Sequence, residues 1–475
     1  MKVVTAPPEL LADPESLAMM QAFYSRSKRG IEDRLAETTL DTEAIKAKLK
    51  SFYVGYGHDS IGQCGFTTFF LEDVSILAAK AIQHNALYNG QESSTRYIDF
   101  KASGAYKNVP HQLKNNIDEW LDVYAIVSNK VYNGLIEKYG PTMPSRITEG
   151  SDDYDPLFLK ACKAKAFDIA GAFLPCGVLT NLSWTTSLAT VNRELKRLFA
   201  HPLFEVRELA AAIQEQVRIH YPSVYQEGLR DCEEVEYNRV HGLANYDQYL
   251  PPHTTPVPMT SVITAPTTLW TGPTLPERPK YARPPPVLHD AAHFYADVTM
   301  DYRSFRDVQR HRTLHVGSPI IKGFDNFRAQ SLTDVFEPWY IEALDFLGAL
   351  KTDNDRLLLT RIENLITAVD RSPVFEHERQ YAYPMGMKVR FRMHGSLGDW
   401  LYFCELRSGE TVHATVRKFA TRTWEQIEDS LFDSKYSWLS TLVAANIKTD
   451  NLDLENSLRP SFKRAKQDIV EKSAT

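Results

Sequence analysis

Apolar residues recur at helical spacing in four stretches of the chain. Val74, Leu77, Ala78, Ala81 and Ile82 fall at i, i+3, i+4, i+7 and i+8, which is one face of an amphipathic helix. Leu113, Ile117, Trp120, Leu121 and Tyr124 repeat that spacing, as do Val206, Leu209, Ala210, Ile213 and Val217. Val412, Val416, Phe419 and Thr423 do so again near the far end. Alternation with a period of two is confined to short segments at 65–71 and 387–393, where aromatic, β-branched and long residues predict strands. A helix is also expected at 302–308, closed by Arg310-His311-Arg312, and an apolar run at 400–406 ends on Arg407. The pattern is that of an α+β chain with more helix than strand.

One stretch breaks the pattern. Residues 249–286 are dense in proline and threonine and end in three consecutive prolines. Proline fixes φ and lacks a donor, so this stretch is expected to be an extended surface linker that neither pairs in a sheet nor continues a helix. The two sides of it resemble each other. Leu174-Pro175 on the first side and Tyr383-Pro384 on the second are each followed by an apolar, aromatic stretch and then by a Val-Arg pair, Val206-Arg207 and Val416-Arg417. The prolines lie 209 positions apart and the Val-Arg pairs 210. A nearly constant offset between two landmarks is the mark of an internal duplication. The expected organisation is a first module at 1–248, the linker at 249–287 and a second module at 288–475.

Length and composition add bounds. The chain has 475 residues, which calls for more than one core, and its net charge of -6 is spread without a basic block. That distribution does not support nucleic-acid binding. No run approaches the roughly 20 apolar residues of a membrane span, and the first residues lack the layout of a signal peptide. The five cysteines, Cys64, Cys162, Cys176, Cys232 and Cys404, are sparse and show no CxxC spacing, as in a reducing compartment. A cytoplasmic protein is expected, with no membrane partner.

The polar clusters carry the candidate chemistry. Asn89-Gly90 leads into Gln91-Glu92-Ser93-Ser94-Thr95-Arg96-Tyr97, a loop whose N–H groups, hydroxyls and Arg96 guanidinium suit an anion. A solvated turn with a helix cap would read the same way. Arg310, His311 and Arg312 could clamp a phosphate or pyrophosphate, or merely complement a helix end. Arg407 needs a polar or anionic partner after its apolar run, and Arg379 stands in a similar place before 381–384. Cys176 follows Leu174-Pro175 and reads as a buried core cysteine rather than a nucleophile. His289, Asp290 and His293 have a spacing that can bind metal, but without further ligands they read as helix-surface polarity, and no metal site is expected.

Together these residues resemble the flavin-dependent thymidylate synthases. That family carries an Arg-His-Arg triplet, a loop of the form Ser-x-Asn-Glu-x-Ser-x-Arg-Tyr, an upstream Gly-His-x-Ser/Thr and a downstream Ala-Arg-x-x-Leu-Pro. The first side matches with Gly57-His58-Asp59-Ser60, with Glu92, Ser94, Arg96 and Tyr97, with Leu174-Pro175 and with 204–207. The second side matches with Arg310-His311-Arg312, with Glu378-Arg379 before Tyr383-Pro384, with Arg407 where the activating arginine is expected, and with Val416-Arg417. The departures are equally specific. The triplet's place on the first side reads Gln83-His84-Asn85, the arginine before Leu-Pro is Gly171, and Gln63 replaces a glutamate. On the second side 313–319 lacks the Glu-x-Ser-x-Arg-Tyr loop. Neither side alone is complete; the pair nearly is.

The resemblance implies two tandem modules of that family, each helix-rich with a small, mostly antiparallel sheet. It implies methyl transfer to C5 of dUMP from methylenetetrahydrofolate, with FAD as cofactor and NADPH as reductant. Arg407 would be catalytic, stabilising charge on the pyrimidine. Glu92, Ser94, Arg96, Tyr97 and Arg379 would bind the nucleotide, and His58, Ser60, Arg310, His311 and Arg312 the flavin. Two chains would form a homodimer that acts as a pseudo-tetramer. The alternatives are C5 modification of another pyrimidine nucleotide on the same scaffold, and a non-catalytic flavin- or nucleotide-binding regulator.

Overall fold

The computed structural model describes residues 12–26, 42–51, 53, 59–95, 98–142, 156–241, 260–262, 289, 292–324, 331–432, 447 and 452–461. In chain order the elements are α1 (Pro14–Ser25), α2 (Thr42–Lys50), α3 (Asp59–Gly62), β1 (Phe66–Ser75), α4 (Ile76–Gln83), α5 (His111–Tyr139) and α6 (Pro156–Ala170). Then come β2 (Leu179–Ser187), α7 (Leu188–Phe199), α8 (Phe204–His220), α9 (Glu233–Val240), β3 (Thr260–Val262), β4 (His293–Asp301), α10 (Tyr302–Val308) and β5 (His315–Val316). The last are α11 (Leu332–Val335), α12 (Pro338–Phe346), α13 (Asp353–Asp370), α14 (Glu376–Arg379), β6 (Lys388–Ser396), α15 (Leu397–Arg407), α16 (Ala414–Phe432) and α17 (Leu454–Leu458). The fold is α+β and helix-rich, with small sheets.

Four times a strand runs directly into a helix, and each time its last residue caps that helix. Ser75 accepts from the Ala78 N–H at 3.0 Å and Asp301 from the Ser304 N–H at 2.9 Å. Ser187 accepts from the Thr190 N–H, and Ser396 forms a capping box with Asp399. A short polar side chain at this position satisfies a helix N–H that has no intrahelical partner, so it ends the strand and starts the helix together. The order strand, cap, helix therefore occurs at β1–α4 and β2–α7, and again at β4–α10 and β6–α15. β1 pairs with β2, and β4 lies antiparallel to β6 from His293↔Ser396 to Asp301↔Lys388. Alternate residues of these strands are buried, because one face of each packs on helices. Val74, read from its spacing as part of a helix, is the penultimate residue of β1, since the Ser75 cap postpones the helix to Ile76.

The proline-rich stretch corrects one expectation. Thr260–Val262 forms β3 and pairs antiparallel with β4 (Thr260↔Tyr295 to Val262↔His293). These three residues lie between prolines but contain none, so their N–H groups remain available to an edge.

The chain divides into two compact units that interleave in sequence. One holds the described residues within Met1–Ser93 and Thr180–Asn245; the other holds those within Ser94–Leu179 and Tyr246–Thr475. The core of the first includes Met19, Leu49, Ile76, Trp184, Leu195 and Val206, all buried. The second is built on α5, whose buried Trp120, Tyr124, Val127 and Val131 lie on one face.

Within this second unit the two repeats meet head to head. Pro175 and Pro384 form an antiparallel bridge. Around it the hydrogen bonds come in matched pairs. The Cys176 N–H donates to Tyr383 O and the Met385 N–H to Leu174 O, both at 2.9 Å. The Gly177 N–H donates to Tyr381 O and the Gly386 N–H to Ala172 O. Each partner is its mate's counterpart 209 positions along the chain, so the bridge is a local two-fold axis relating the repeats. Among the described residues no helix is long and apolar enough to cross a membrane.

Candidate functional site

The second unit brings two of the expected site residues into contact. α10 ends at Val308, and the turn after it buries His311 against Phe403, with ring centroids 4.7 Å apart. Arg407, the last residue of α15, donates Nε–H to His311 Nε2 at 2.7 Å and Nη2–H to Asp307 O at 2.7 Å. An imidazole nitrogen that accepts from a guanidinium cannot carry a proton, so His311 is neutral with its hydrogen on Nδ1. Burial, with the Arg407 charge beside it, holds the His311 pKa down to about 3. The guanidinium is thus fixed by a neutral partner and a backbone carbonyl. Arg310 and Arg312 flank His311 and are exposed. Planar guanidinium donors exposed at a turn can meet an anion.

The first unit holds the counterpart of this arrangement. Counting from the caps Ser75 and Asp301, Ala81 is equivalent to Asp307 and Asn85 to His311, so the triplet's place on the first side is His84-Asn85-Ala86, one residue later than the expected 83–85. Arg197 Nη2 donates to Ala81 O at 2.7 Å, as Arg407 does to Asp307 O. Its Nε, however, goes to the carboxylate of Glu194 at 2.8 Å. The repeat has kept the arginine and exchanged its neutral histidine partner for an acid.

Glu92 also lies in the first unit. Its chain pairs with Leu182, and its side chain, 1% exposed, meets Lys80 Nζ at 2.7 Å and Gln83 Nε2 at 3.0 Å. Gln83 and Lys80 are themselves hydrogen-bonded. Ser60 is exposed on α3. His58, Arg96 and Tyr97 lie outside the described residues.

The next two loop residues belong to the second unit. Ser94 is half-buried, and Thr95 is buried with its hydroxyl accepting from Arg303 at 3.1 Å and Arg306 at 3.5 Å. Arg303 also reaches Asp168 at 3.6 Å. Neither arginine was singled out from the sequence, although Arg303, Arg306 and Arg310 at i, i+3 and i+7 mark one face of a helix. Arg379 ends α14 half-buried, with Nε–H on Val374 O at 2.9 Å. Gln380, not Arg379, is the counterpart of Gly171, because the 3-10 turns Gly171–Phe173 and Gln380–Ala382 are equivalent.

The repeated Val-Arg pairs have a structural role in both units. Arg207 donates to the carbonyls of His201 and Pro202, and Arg417 Nε to Ser408 O. Each arginine holds the chain where the preceding helix, α7 or α15, ends.

A further buried cluster lies behind α10. Its cap Asp301 accepts from the Tyr340 hydroxyl at 2.9 Å, and His413 bridges Tyr340 and Ser304. Burial and the Asp301 carboxylate push Glu337 up to about 7. The five cysteines are free thiols; Cys162, Cys176 and Cys404 are buried. Burial pushes the Cys176 thiol far up, against the pull of Arg306. His289 Nδ1 lies 2.8 Å from Ser396 Oγ, and His293 opens β4; Asp290 lies outside the described residues.

Residues 9–223 match the family model described as "Thymidylate synthase complementing protein". A UPF0159 protein of Chlamydia pneumoniae is 23% identical over 459 residues, covering 85% of this chain and 82% of that protein. A UPF0159 protein of Chlamydia muridarum is 25% identical over 450 residues, covering 82% and 80%. Matches of this length span both repeats. Among solved structures, thymidylate synthase X of Helicobacter pylori, determined with FAD and dUMP, is 13% identical and covers 46% of this chain and 95% of its own, with a TM-score of 0.28.

Proposed function

We propose that the chain, which matches the family model over residues 9–223, is a divergent, internally repeated flavin-dependent thymidylate synthase and that it methylates C5 of dUMP. Methylenetetrahydrofolate is the one-carbon donor, and FAD, when bound and reduced by NADPH, would supply the hydride. The observation that carries this reading is the pairing of Arg407 with a neutral His311. A guanidinium oriented by a neutral imidazole and a backbone carbonyl can bring its positive charge to the charge that develops on a pyrimidine as C5 becomes nucleophilic. His311 orients Arg407, and Asp307 O sets the depth of the guanidinium. Arg310 and Arg312 hold the flavin pyrophosphate, with His58 and Ser60 also on the flavin. Ser94, Arg96 and Tyr97 hold the nucleotide, together with Glu92 and Arg379. Arg197, neutralised by Glu194, does not serve as a second activating arginine. Two chains assemble as a homodimer equivalent to a tetramer of single modules, which light scattering of the purified protein will read directly.

The visible spectrum of the purified chain tests the proposal. A bound flavin whose bands shift on adding dUMP, followed by dTMP formation with methylenetetrahydrofolate and NADPH, is the expected result. A protein that takes up no flavin, or binds dUMP without turnover, would overturn it. One observation favours a second reading, C5 chemistry on another pyrimidine nucleotide. Glu92 is engaged by Lys80 and by Gln83, which directly precedes the residues in the triplet's place. Turnover of dCMP or UMP in preference to dUMP would establish that alternative.

A further inference from the structure

The family motif Ala-Arg-x-x-Leu-Pro appears here as Ala170-Gly171-Ala172-Phe173-Leu174-Pro175, with glycine in the arginine's place. Gly171 opens a buried 3-10 turn, and the space beside it is filled. A β-carbon built on Gly171 would overlap Nη1 of Arg303 and lie only 2.5 Å from its Cζ. A guanidinium therefore occupies the place where a side chain at 171 would begin. It comes from α10, in the other repeat.

That guanidinium is directed. Arg303 and Arg306 are both buried, and both donate to the single hydroxyl oxygen of Thr95, in the loop between Ser94 and Arg96. A hydroxyl has two acceptor lone pairs and one donor hydrogen. Arg303 makes the closer of these two contacts, and Arg306 Nη1 is shared with Met385 Sδ at 3.1 Å. Asp168 at 3.6 Å and the Phe167 carbonyl at 3.4 Å keep the Arg303 fork in this orientation. Two guanidiniums converging beside the 92–97 loop make a surrounding suited to a phosphate monoester.

We infer that Arg303 replaces in space the arginine lost at position 171 and, with Arg306 and Thr95, builds the phosphate-binding side of the nucleotide site. The inference rests on the nucleotide-binding reading above and adds a residue to it. It also ties the glycine at 171 to Arg303: a larger residue there would require the Arg303 guanidinium to move. The loss in one repeat and the gain in the other are then a single exchange, which a duplicated chain permits and a single module does not.

The test compares dUMP with deoxyuridine, which lacks the phosphate, by equilibrium binding to the full chain. Wild type is expected to prefer dUMP strongly. Arg303→Ala should lower dUMP affinity by roughly 10- to 100-fold, the range for losing a charge-assisted hydrogen bond, and leave deoxyuridine binding unchanged. Arg303→Lys keeps a cation near Asp168 without the planar fork and should show the same selective loss if the alanine variant does not fold. Gly171→Arg alone should destabilise the chain, whereas Arg303→Gly with Gly171→Arg should regain dUMP affinity to within a few-fold. An unchanged dUMP-to-deoxyuridine ratio in folded Arg303 variants would overturn the inference and leave the functional reading standing. A wild-type chain that binds no pyrimidine nucleotide would instead overturn the functional reading, before any variant is made.

Discussion

Arg407 and His311, 96 residues apart in the chain, share one hydrogen bond in which the guanidinium Nε donates to the imidazole Nε2 at 2.7 Å. Two consequences can be measured together. Arg407→Ala should lower turnover by about 100- to 1000-fold, the range for removing a group aimed at developing charge, while flavin binding persists. The same substitution removes a positive charge from beside His311, so the histidine should titrate higher by NMR, yet still below its ordinary value because burial remains. Surviving turnover would exclude Arg407 as the activating group.

His311 also sets a pH dependence. In the fold it stays neutral down to about 3, whereas in the unfolded chain it takes a proton near 6.5. Between those values the unfolded state binds more protons, so stability is complete above about 6.5 and falls as the pH drops towards 3. The slope is at most about 1.4 kcal/mol per pH unit. Denaturant melts of His311→Gln across this window should show a shallower slope than wild type, and an identical slope would count against the buried neutral imidazole.

Glu337 acts in the opposite sense. Burial and Asp301 hold its carboxyl up to about 7 against an ordinary 4.5, so the fold favours the protonated acid. Its contribution is present below about 4.5 and is lost as the pH rises through 7. Glu337→Gln, which imitates the protonated acid, should raise the melting temperature at pH 8 and leave it nearly unchanged at pH 5. Equal effects at both pH values would contradict the assignment.

The ion pair of Lys80 and Glu92 is almost wholly buried, with side chains 4% and 1% exposed. Removing one member of such a pair costs about 3–5 kcal/mol, whereas replacing both with apolar residues costs far less. Glu92→Ala should therefore lower unfolding free energy by that amount, and Lys80→Met with Glu92→Leu should recover most of it. Unchanged stability in Glu92→Ala would contradict the buried pairing.

Cys176 lies next to the Pro175–Pro384 bridge with its thiol held far above the ordinary range by burial. A nucleophile must be a thiolate, so this cysteine is inert. Cys176→Ala should retain turnover and cost about 1–2 kcal/mol of stability through the small cavity it leaves. Loss of turnover in a well-folded variant would reopen the cysteine route.

Several elements were legible in advance because their determinants are local. Spacing at 113–124 and 206–217 gives α5 and α8, and alternation at 387–393 gives most of β6. Alternation at 65–71 gives only the first part of β1, because nothing before the Ser75 cap forces the strand to end. β3 was missed because a high proline density says nothing about the three proline-free residues inside it. Arg303 was missed for a different reason. No local rule links a glycine at 171 to an arginine at 303; only packing shows that one fills the space of the other.

The amino-acid sequence by itself determined α5 and α8, parts of β1 and β6, the repeat offset of about 209 and the family motifs, since periodicity and motif spacing act over a few residues. Tertiary structure alone decided the rest. It paired Pro175 with Pro384, gave Arg407 a neutral histidine where Arg197 has an acid, and assigned 94–179 to the same compact unit as the second repeat. Those outcomes depend on which buried groups meet across one or two hundred residues, and the free energy of such contacts exists only once the chain has folded.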